Sequence, residues 1–335
     1  MSQYNIAIVG ATGMVGATFL KVLAERKLPC ANYYLYASEK SEGKKIGFLG
    51  NEYTVIALKD ENITDKKIHI ALFSAGANVS EMYAPLFVKH GAVVIDNSSK
   101  WRTDPDIPLV VPEVNGGDAL KHNGIIANPN CSTIQAVVAI KPLYDKYGVK
   151  RIVYSTYQAV SGAGVLGYND LKNGAIGLPP QKFIYPIYGN VIPQIDVFTQ
   201  DGYTKEEVKM IFETKKILND FDLKVTATTV RVPVFHGHSE SINIEFKKPS
   251  NKAGILEALR NADGVKVIDD LENSKYPMPL YAEGSDDVYV GRIREDDTVD
   301  SGCNIWVVAD NIRKGAATNA VQIAEYLIEH GGVNL

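Results

Sequence analysis

The stretch Ile6-Ala7-Ile8-Val9-Gly10-Ala11-Thr12-Gly13-Met14-Val15-Gly16 decides how the chain begins to fold. Its first four residues form an apolar run rich in β-branched side chains, which predicts a buried strand. Three glycines come next at intervals of three, and helical periodicity continues through Phe19, Leu20 and Leu23. Strand, glycine-rich turn and helix are the setting of a dinucleotide fingerprint, here spaced G-x-x-G-x-x-G rather than G-x-G-x-x-G. One glycine turns the chain, one lets the backbone approach a pyrophosphate, and one lets helix and strand pack closely. The anion then sits on the helix N-terminus, where unpaired N–H groups and the dipole favour it. A purely structural glycine turn has the same spacing, so the choice rests on the pattern of the residues beyond it.

Strand-like runs recur at 33–36, 68–73, 93–95 and 125–127, with helical stretches such as 79–90 between them. This alternation predicts an α/β, Rossmann-type doubly wound sheet. The second strand ends Tyr36-Ala37-Ser38-Glu39-Lys40-Ser41. In NAD-binding versions an acid at this point bonds the ribose hydroxyls. The hydroxyls of Ser38 and Ser41, together with Lys40, suit a 2′-phosphate instead and point to NADP, while Glu39 leaves some use of NAD open.

From about residue 132 the texture changes. Segments 151–159, 224–234, 241–247 and 305–309 are β-rich, and 162–202 is rich in Gly, Pro, Asn and Tyr without a clear period. A loop of that length is usually functional. The region reads as an α+β domain built on a sheet. Ala317, Ala320, Val321, Ala324, Leu327 and Ile328 then mark an amphipathic helix over 316–328 that returns to pack on the first domain.

Composition narrows the classes of function. The 335 residues are 45% hydrophobic and 22% charged, as in a soluble two-domain protein. The net charge, 35 minus 39 or −4, comes without a dense Lys/Arg stripe and argues against nucleic acid. No apolar run approaches the ~20 residues of a membrane span, and no basic-then-apolar leader is visible at the N-terminus. Three scattered cysteines, Cys30, Cys131 and Cys303, make neither a disulfide framework nor a zinc site. A reducing, cytoplasmic setting without a metal is expected.

Two clusters carry chemistry. Asn128-Pro129-Asn130-Cys131-Ser132-Thr133 follows a strand and precedes a helical pattern. Cys131 thus falls at a helix N-terminus, which stabilises a thiolate; the alternative is a small buried hydrophobe. Cys30 and Cys303 lack such a setting and read as structural. Arg231-Val232-Pro233-Val234-Phe235-His236-Gly237-His238 supplies a carboxylate clamp and two imidazoles able to move protons near neutral pH. A surface turn and a zinc site are the alternatives, the latter without partners at ligand spacing. Thr204-Lys205-Glu206-Glu207 reads as a capping box. On its helix Val208, Ile211, Phe212 and Leu218 form an apolar stripe flanked by Glu213 and Lys216, whose spacing alone favours a solvated ion pair.

Together with Tyr157-Gln158-Ala159-Val160-Ser161-Gly162-Ala163-Gly164 and Glu213-Thr214-Lys215-Lys216-Ile217, these motifs resemble the aspartate-β-semialdehyde dehydrogenase family over nearly the whole chain. The resemblance implies a glyceraldehyde-3-phosphate dehydrogenase-like architecture. Residues 1–131 and 315–335 would bind NADP, and 132–314 would form the catalytic and dimerisation domain. It further implies reduction of β-aspartyl phosphate by NADPH to aspartate semialdehyde and phosphate, on the route to lysine, threonine and methionine, by a homodimer or tetramer. By similarity Cys131 is the nucleophile, His238 the acid/base and Gln158 the group that places the acyl intermediate. Arg231 and Glu213 would hold the substrate's carboxylate and ammonium, and Arg102, Asn130 and Lys216 its phosphoryl group. Gly10, Ala11, Thr12, Gly13, Met14, Val15, Ser38, Lys40, Ser41, Ser161, Gly162 and Asn311 would contact the cofactor. In the segment Ser98-Ser99-Lys100-Trp101-Arg102, Lys100 stands where the family pattern has a small apolar residue. The alternatives are an N-acetyl-γ-glutamyl-phosphate reductase, whose substrate lacks the ammonium, glyceraldehyde-3-phosphate dehydrogenase itself, and a non-catalytic NADP-binding homologue.

Overall fold

A computed structural model describes residues 3–334; Met1, Ser2 and Leu335, and with them the first two residues of the leader reading, lie outside the described residues. Contacts divide the chain into two units, Met1–Pro129 with Ala316–Leu335, and Asn130–Gly315. Asn130, Cys131 and Gly315 thus belong to the second unit, where the sequence reading placed them in the first. The reason is local: Asn130 caps the helix that Cys131 begins.

The first unit runs β1 (Tyr4–Val9), α1 (Met14–Arg26), β2 (Cys30–Ala37), β3 (Lys45–Phe48), β4 (Asn51–Thr54), β5 (Ile56–Ala57), β6 (Ile70–Phe73), α2 (Ala77–Lys89), β7 (Val93–Asp96), α3 (Pro112–Asn115) and β8 (Ile125–Ala127). Its main sheet has the order β5-β2-β1-β6-β7-β8, and every pairing is parallel. Strands β6 and β7 are buried at every residue, as a sheet covered on both faces requires. The order reverses between β1 and β6, so the turn after β1 opens at the switch point where ligands of such sheets bind.

The C-terminal helix, Thr318–Glu329, buries Ala320, Val321, Ala324 and Leu327 in one core with Phe19 and Leu23 of α1 and Ile6 and Ile8 of β1. Each fully buried Leu or Val there contributes about 1.5–3 kcal/mol. Arg26 clamps Glu325 with two hydrogen bonds of 2.7 and 2.5 Å, fixing the end of the chain to α1. The helix starts two residues later than the apolar stripe because Arg313–Ala317 form a wider π-turn.

The second unit holds α4 (Cys131–Tyr147), β9 (Val149–Gln158), α5 (Gly164–Gly174), α6 (Lys205–Ile217), β10 (Lys224–Arg231), β11 (His238–Phe246), α7 (Lys252–Arg260), β12 (Val265–Val267), α8 (Pro279–Ala282), β13 (Val288–Glu295) and β14 (Gly302–Ala309). They build a mixed sheet in the order β10-β9-β11-β14-β13-β12. Only β10/β9 and β12/β13 pair in parallel.

Three expectations need correction. The stretch 162–202 contains α5, hidden from periodicity because its buried face is only Gly167, Asp170 and Leu171. The strand expected over 224–234 stops at Arg231, and Pro233 explains why no ladder continues. The apolar stripe of α6 is not its buried face: Val208 is 41% exposed. The helix instead buries Glu206, Glu207, Met210, Glu213, Thr214 and Ile217. An amphipathic pattern has been inverted here so that carboxylates face the interior.

Candidate active site

In the first unit the glycine turn forms because only glycine fits. Gly10 has φ +89°, and a β-carbon there would lie 2.3 Å from the Ser74 carbonyl oxygen. At Gly16 a β-carbon would lie 2.1 Å from the Gly10 carbonyl oxygen, so α1 packs directly on the turn. No side chain caps α1 and no acid stands in its first turn, which leaves its N–H groups available to an anion. Ala11 is buried, Met14 and Val15 begin the helix half-buried, and Thr12 and Gly13 are exposed. A cleft of about 490 Å³ opens beside them, lined by Gly10, Thr12, Gly13, Ser38, Glu39 and Tyr83 among others. Its shape and its uncapped helix fit a dinucleotide. Glu39 is engaged by Lys59 at 3.0 Å. Ser38 and Lys40 are exposed on the same turn, with Ser41 buried.

Arg102 also belongs to the first unit. It is 8% exposed and donates from Nε to the Asn128 carbonyl at 3.0 Å and from Nη2 to the Asn97 carbonyl at 2.7 Å. Lys100 leaves that arrangement undisturbed, since it turns outward to Glu81 at 2.5 Å and lies over the Trp101 ring.

The second unit gathers residues far apart in sequence through strand register. Gln158 ends β9 and Arg231 ends the parallel β10, and the two are paired across the ladder. His238 starts the antiparallel β11 opposite Ala309, the last residue of β14, and Asn311 stands two residues later. Three strand ends and one strand start therefore meet at one edge of the sheet.

The Cys131 helix is built locally. Asn130 Oδ1 accepts from the Ser132 and Thr133 amides at 2.9 and 3.3 Å, an N-cap that leaves Cys131 as the first helical residue. Cys131 is half-buried, and a β-carbon on Gly315 would lie 2.9 Å from its own β-carbon. The Asn130 amide N–H donates to Glu213 Oε2 at 2.6 Å. Glu213 is 1% exposed, so the solvated-pair reading fails for it, while Lys216 one turn on is half-buried. The other two thiols are inert by comparison: burial pushes Cys30 up to about 11 and Cys303 up to about 12.

His238 is fully buried, and the Ala159 amide donates to its Nδ1 at 2.9 Å. An N–H can only donate to a bare ring nitrogen, so the neutral imidazole carries its proton on Nε2. That Nε2 has no hydrogen-bond partner. Burial, reinforced by the Arg231 charge, holds His238 well below its ordinary value, so the expected titration near neutral pH is corrected: the ring is neutral there. Arg231 donates from Nη1 to the Ala159 carbonyl at 2.6 Å and leaves Nε without a partner in a 5% exposed side chain. Burial pulls Arg231 below its usual value, while Glu206 and Cys131 hold it up. A β-carbon on Gly162 would lie 3.0 Å from Arg231 Nη1 and 3.2 Å from His238 Nε2. Glycine thus keeps open a space faced by the Arg231 guanidinium and by the unpartnered His238 Nε2, which suits an anionic, carbonyl-bearing ligand. Asn311 donates to Ser161 Oγ at 3.0 Å and accepts from the Gly237 amide at 2.9 Å, so the two side chains expected at the nicotinamide support each other.

Sequence reading missed several groups. Asp170 accepts from the amides of Gln181, Lys182 and Phe183 at 2.7, 2.8 and 2.9 Å. This fixes the loop whose Phe183 ring lies 5.9 Å from the Arg231 guanidinium. Glu206, read only as part of a helix cap, is 6% exposed and accepts from the Asn130 side chain at 2.8 Å. Among the described residues no group of His, Cys, Asp and Glu is arranged to hold a metal ion.

Comparisons with known proteins agree along the whole chain. Residues 5–122 match the semialdehyde dehydrogenase NAD binding domain, and residues 140–314 match the semialdehyde dehydrogenase dimerisation domain. An aspartate-semialdehyde dehydrogenase of Aquifex aeolicus is 60% identical over 98% of this chain and 99% of its own. The crystal structure of aspartate semialdehyde dehydrogenase II from Vibrio cholerae complexed with ASA is 48% identical, with a TM-score of 0.94 over 98% of this chain and 99% of that one. An aspartate semialdehyde dehydrogenase with NADP from Candida albicans, 26% identical, covers 99% of this chain and 100% of its own with a TM-score of 0.79. With the nucleotide cleft, the capped cysteine and the strand-edge constellation in place, the chain belongs to the aspartate-semialdehyde dehydrogenase family.

Proposed function

We propose that the protein reduces L-aspartyl-4-phosphate to L-aspartate-4-semialdehyde, releasing phosphate, through a thioester on Cys131. The observation that carries this reading is the meeting of a helix-capped cysteine, a buried arginine with a free Nε and a neutral histidine with a free Nε2–H in one unit. The Cys131 thiolate attacks the acyl carbon, the C–O bond to phosphate breaks, and a thioester remains. The nicotinamide dinucleotide, when bound, supplies the hydride. As the carbonyl oxygen gains charge, first in acylation and then in reduction, the Nε2–H of His238 donates to it. Collapse of the resulting hemithioacetal breaks the C–S bond and returns the thiolate with release of the aldehyde. Because neutral His238 presents an N–H and not a lone pair at Nε2, its part in this reading is to donate a hydrogen bond to the oxyanion, and the collapse returns the thiolate with no net proton taken from the ring.

Arg231 grips the α-carboxylate through its unpartnered Nε, and Glu213 meets the α-ammonium. Gln158 places the acyl group, and Arg102, Asn130 and Lys216 receive the phosphoryl group. A substrate with an acetylated amine carries no ammonium for Glu213 to meet, which favours the free amino acid over an N-acetylglutamyl phosphate.

Residues 10–15 bind the cofactor in this reading, and Ser161, Gly162 and Asn311 are assigned to its nicotinamide by the family resemblance. NADP is preferred in this reading. Lys59 neutralises Glu39, and Ser38, Lys40 and Ser41 then offer a cation and hydroxyls to a 2′-phosphate.

The protein acts as a homodimer formed by the second unit. Ile176, Ile184, Tyr185, Tyr188, Val191 and Phe198 are all more than half exposed along one irregular segment, more apolar surface than a monomer usually shows to water. No described helix is long and apolar enough to cross a membrane, and three free cysteines suit the cytoplasm.

The test is the reverse reaction: purified protein with aspartate semialdehyde and phosphate, with NADP and NAD in parallel. Growth of reduced cofactor that requires both semialdehyde and phosphate, faster with NADP, is expected. Reaction with N-acetylglutamyl semialdehyde in place of the free amino aldehyde would overturn the substrate assignment.

A further inference from the structure

Among the residues at the strand edge is a second buried carboxylate with no part in the chemical steps of acyl transfer and reduction. Glu206 lies in the first turn of α6, where acids usually favour the helix dipole from a solvated position. This one is 6% exposed, and the capping box is completed without it by Thr204 and Glu207. Its Oε1 accepts from Asn130 Nδ2 at 2.8 Å and from Gln158 Nε2 at 3.4 Å. Its Oε2 accepts from Lys209 Nζ at 3.2 Å, and Lys209 also reaches Asp196 at 2.9 Å. Asn130 has no freedom to turn its amide over, because its Oδ1 is committed to the Ser132 and Thr133 amides. A carboxylate held this far from water needs partners, and besides Lys209 those it has, Asn130 and Gln158, are groups assigned to the substrate.

We propose that Glu206 is a positioning residue: one carboxylate oxygen fixes the Asn130 cap and the Gln158 amide together, while the other is held by Lys209. The inference rests on Cys131 being the nucleophile. Loss of the oxygen lets the cap and the glutamine move independently, which slows acyl transfer without touching cofactor binding. Loss of the charge shifts the balance around the Arg231 guanidinium on β10, which both Glu206 and Cys131 face, with Glu213 of α6 bonded to the neighbouring Asn130 amide and Lys209 shared between Glu206 and Asp196. Removing the Glu206 charge leaves Arg231 opposed by less negative charge, so the Cys131 thiolate beside it forms at lower pH.

The experiment uses Glu206→Ala and Glu206→Gln in the full chain. It measures kcat, KM, cofactor affinity by titration calorimetry, and the pH dependence of alkylation by iodoacetamide, with the labelled cysteine identified by mass spectrometry. Glu206→Ala is expected to lose about 10- to 100-fold in kcat with cofactor affinity kept. Glu206→Gln, which retains an acceptor oxygen for Asn130, is expected to recover most of that loss. In both, the midpoint of Cys131 alkylation falls by about half a pH unit or more. An unmoved midpoint in Glu206→Gln overturns the proposal, as does a Glu206→Ala kcat within about twofold of wild type. If Glu206→Ala does not fold, the midpoint in Glu206→Gln decides alone. Labelling of Cys30 or Cys303 with Cys131 spared would instead overturn the nucleophile assignment beneath it.

Discussion

In the proposed reading the nucleotide cleft and the strand-edge constellation solve the same problem, holding an anion, by opposite means. The cleft is made of backbone: consecutive residues 10–16 turn tightly and leave N–H groups uncapped at the start of α1. The constellation is made of side chains from Asn130 to Asn311, brought together by the pairing of β9, β10, β11 and β14. A backbone site tolerates side-chain changes that keep glycine at its tight points. A side-chain site depends on each rotamer and on each buried charge finding a partner. Substitutions in the second region are therefore expected to cost rate, and those in the first to cost affinity.

The largest expected effect comes from the one atom proposed to form a covalent bond. Cys131→Ser should lower kcat by about 10⁴-fold or more while the cofactor still binds, as read by steady-state assay and calorimetry. Residual turnover near wild type would break the comparison outright. Arg231→Lys comes next, with an expected loss of about 100-fold in kcat/KM, because an ammonium cannot present Nη1 to Ala159 and a free Nε to substrate at once. In the first region Gly10→Ala forces a β-carbon against the Ser74 carbonyl from a positive φ. It should raise the cofactor KM by about tenfold and leave the rate of Cys131 alkylation unchanged.

The smallest effect concerns stability. Glu240, two residues beyond His238, is fully buried with neither carboxylate oxygen hydrogen-bonded, and burial holds its carboxyl well above the usual range. A group whose folded value is raised binds more protons folded than unfolded, so its stabilising share is complete below the ordinary carboxylate range and is lost as pH rises. Glu240→Gln should therefore raise Tm by a few degrees at pH 8, with the gain shrinking toward pH 5, in thermal denaturation. A gain that grew toward acid would contradict the assignment.

The same contrast explains what was legible in the sequence. The turn at 10–16 could be read because strand, glycines and helix are contiguous. The core of the first unit came from period alone, down to the stripe Ala320, Val321, Ala324 and Leu327. Cys131, Arg231 and His238 were candidates from local setting, but only the β9–β10 and β11–β14 registers bring Gln158, Arg231, His238 and Asn311 to one edge. On α6 the pattern misled, since Val208 faces outward while Glu206, Glu207 and Glu213 face in. Burial of a carboxylate is stabilised by partners distant in sequence, and no periodicity records them. The neutral state of His238 was hidden for the same reason: it arises from burial and from the guanidinium at Arg231, while the amide at Ala159 fixes the tautomer.

The central claim is that acyl transfer passes through Cys131. The direct measurement mixes the protein with aspartate semialdehyde and oxidised cofactor in the absence of phosphate, quenches in acid, and maps the covalent adduct by mass spectrometry. An aspartyl group on the peptide that carries Cys131, absent in Cys131→Ser and discharged when phosphate is added before the quench, is the predicted result. Turnover on addition of phosphate with no acyl group ever found on Cys131 would contradict the account.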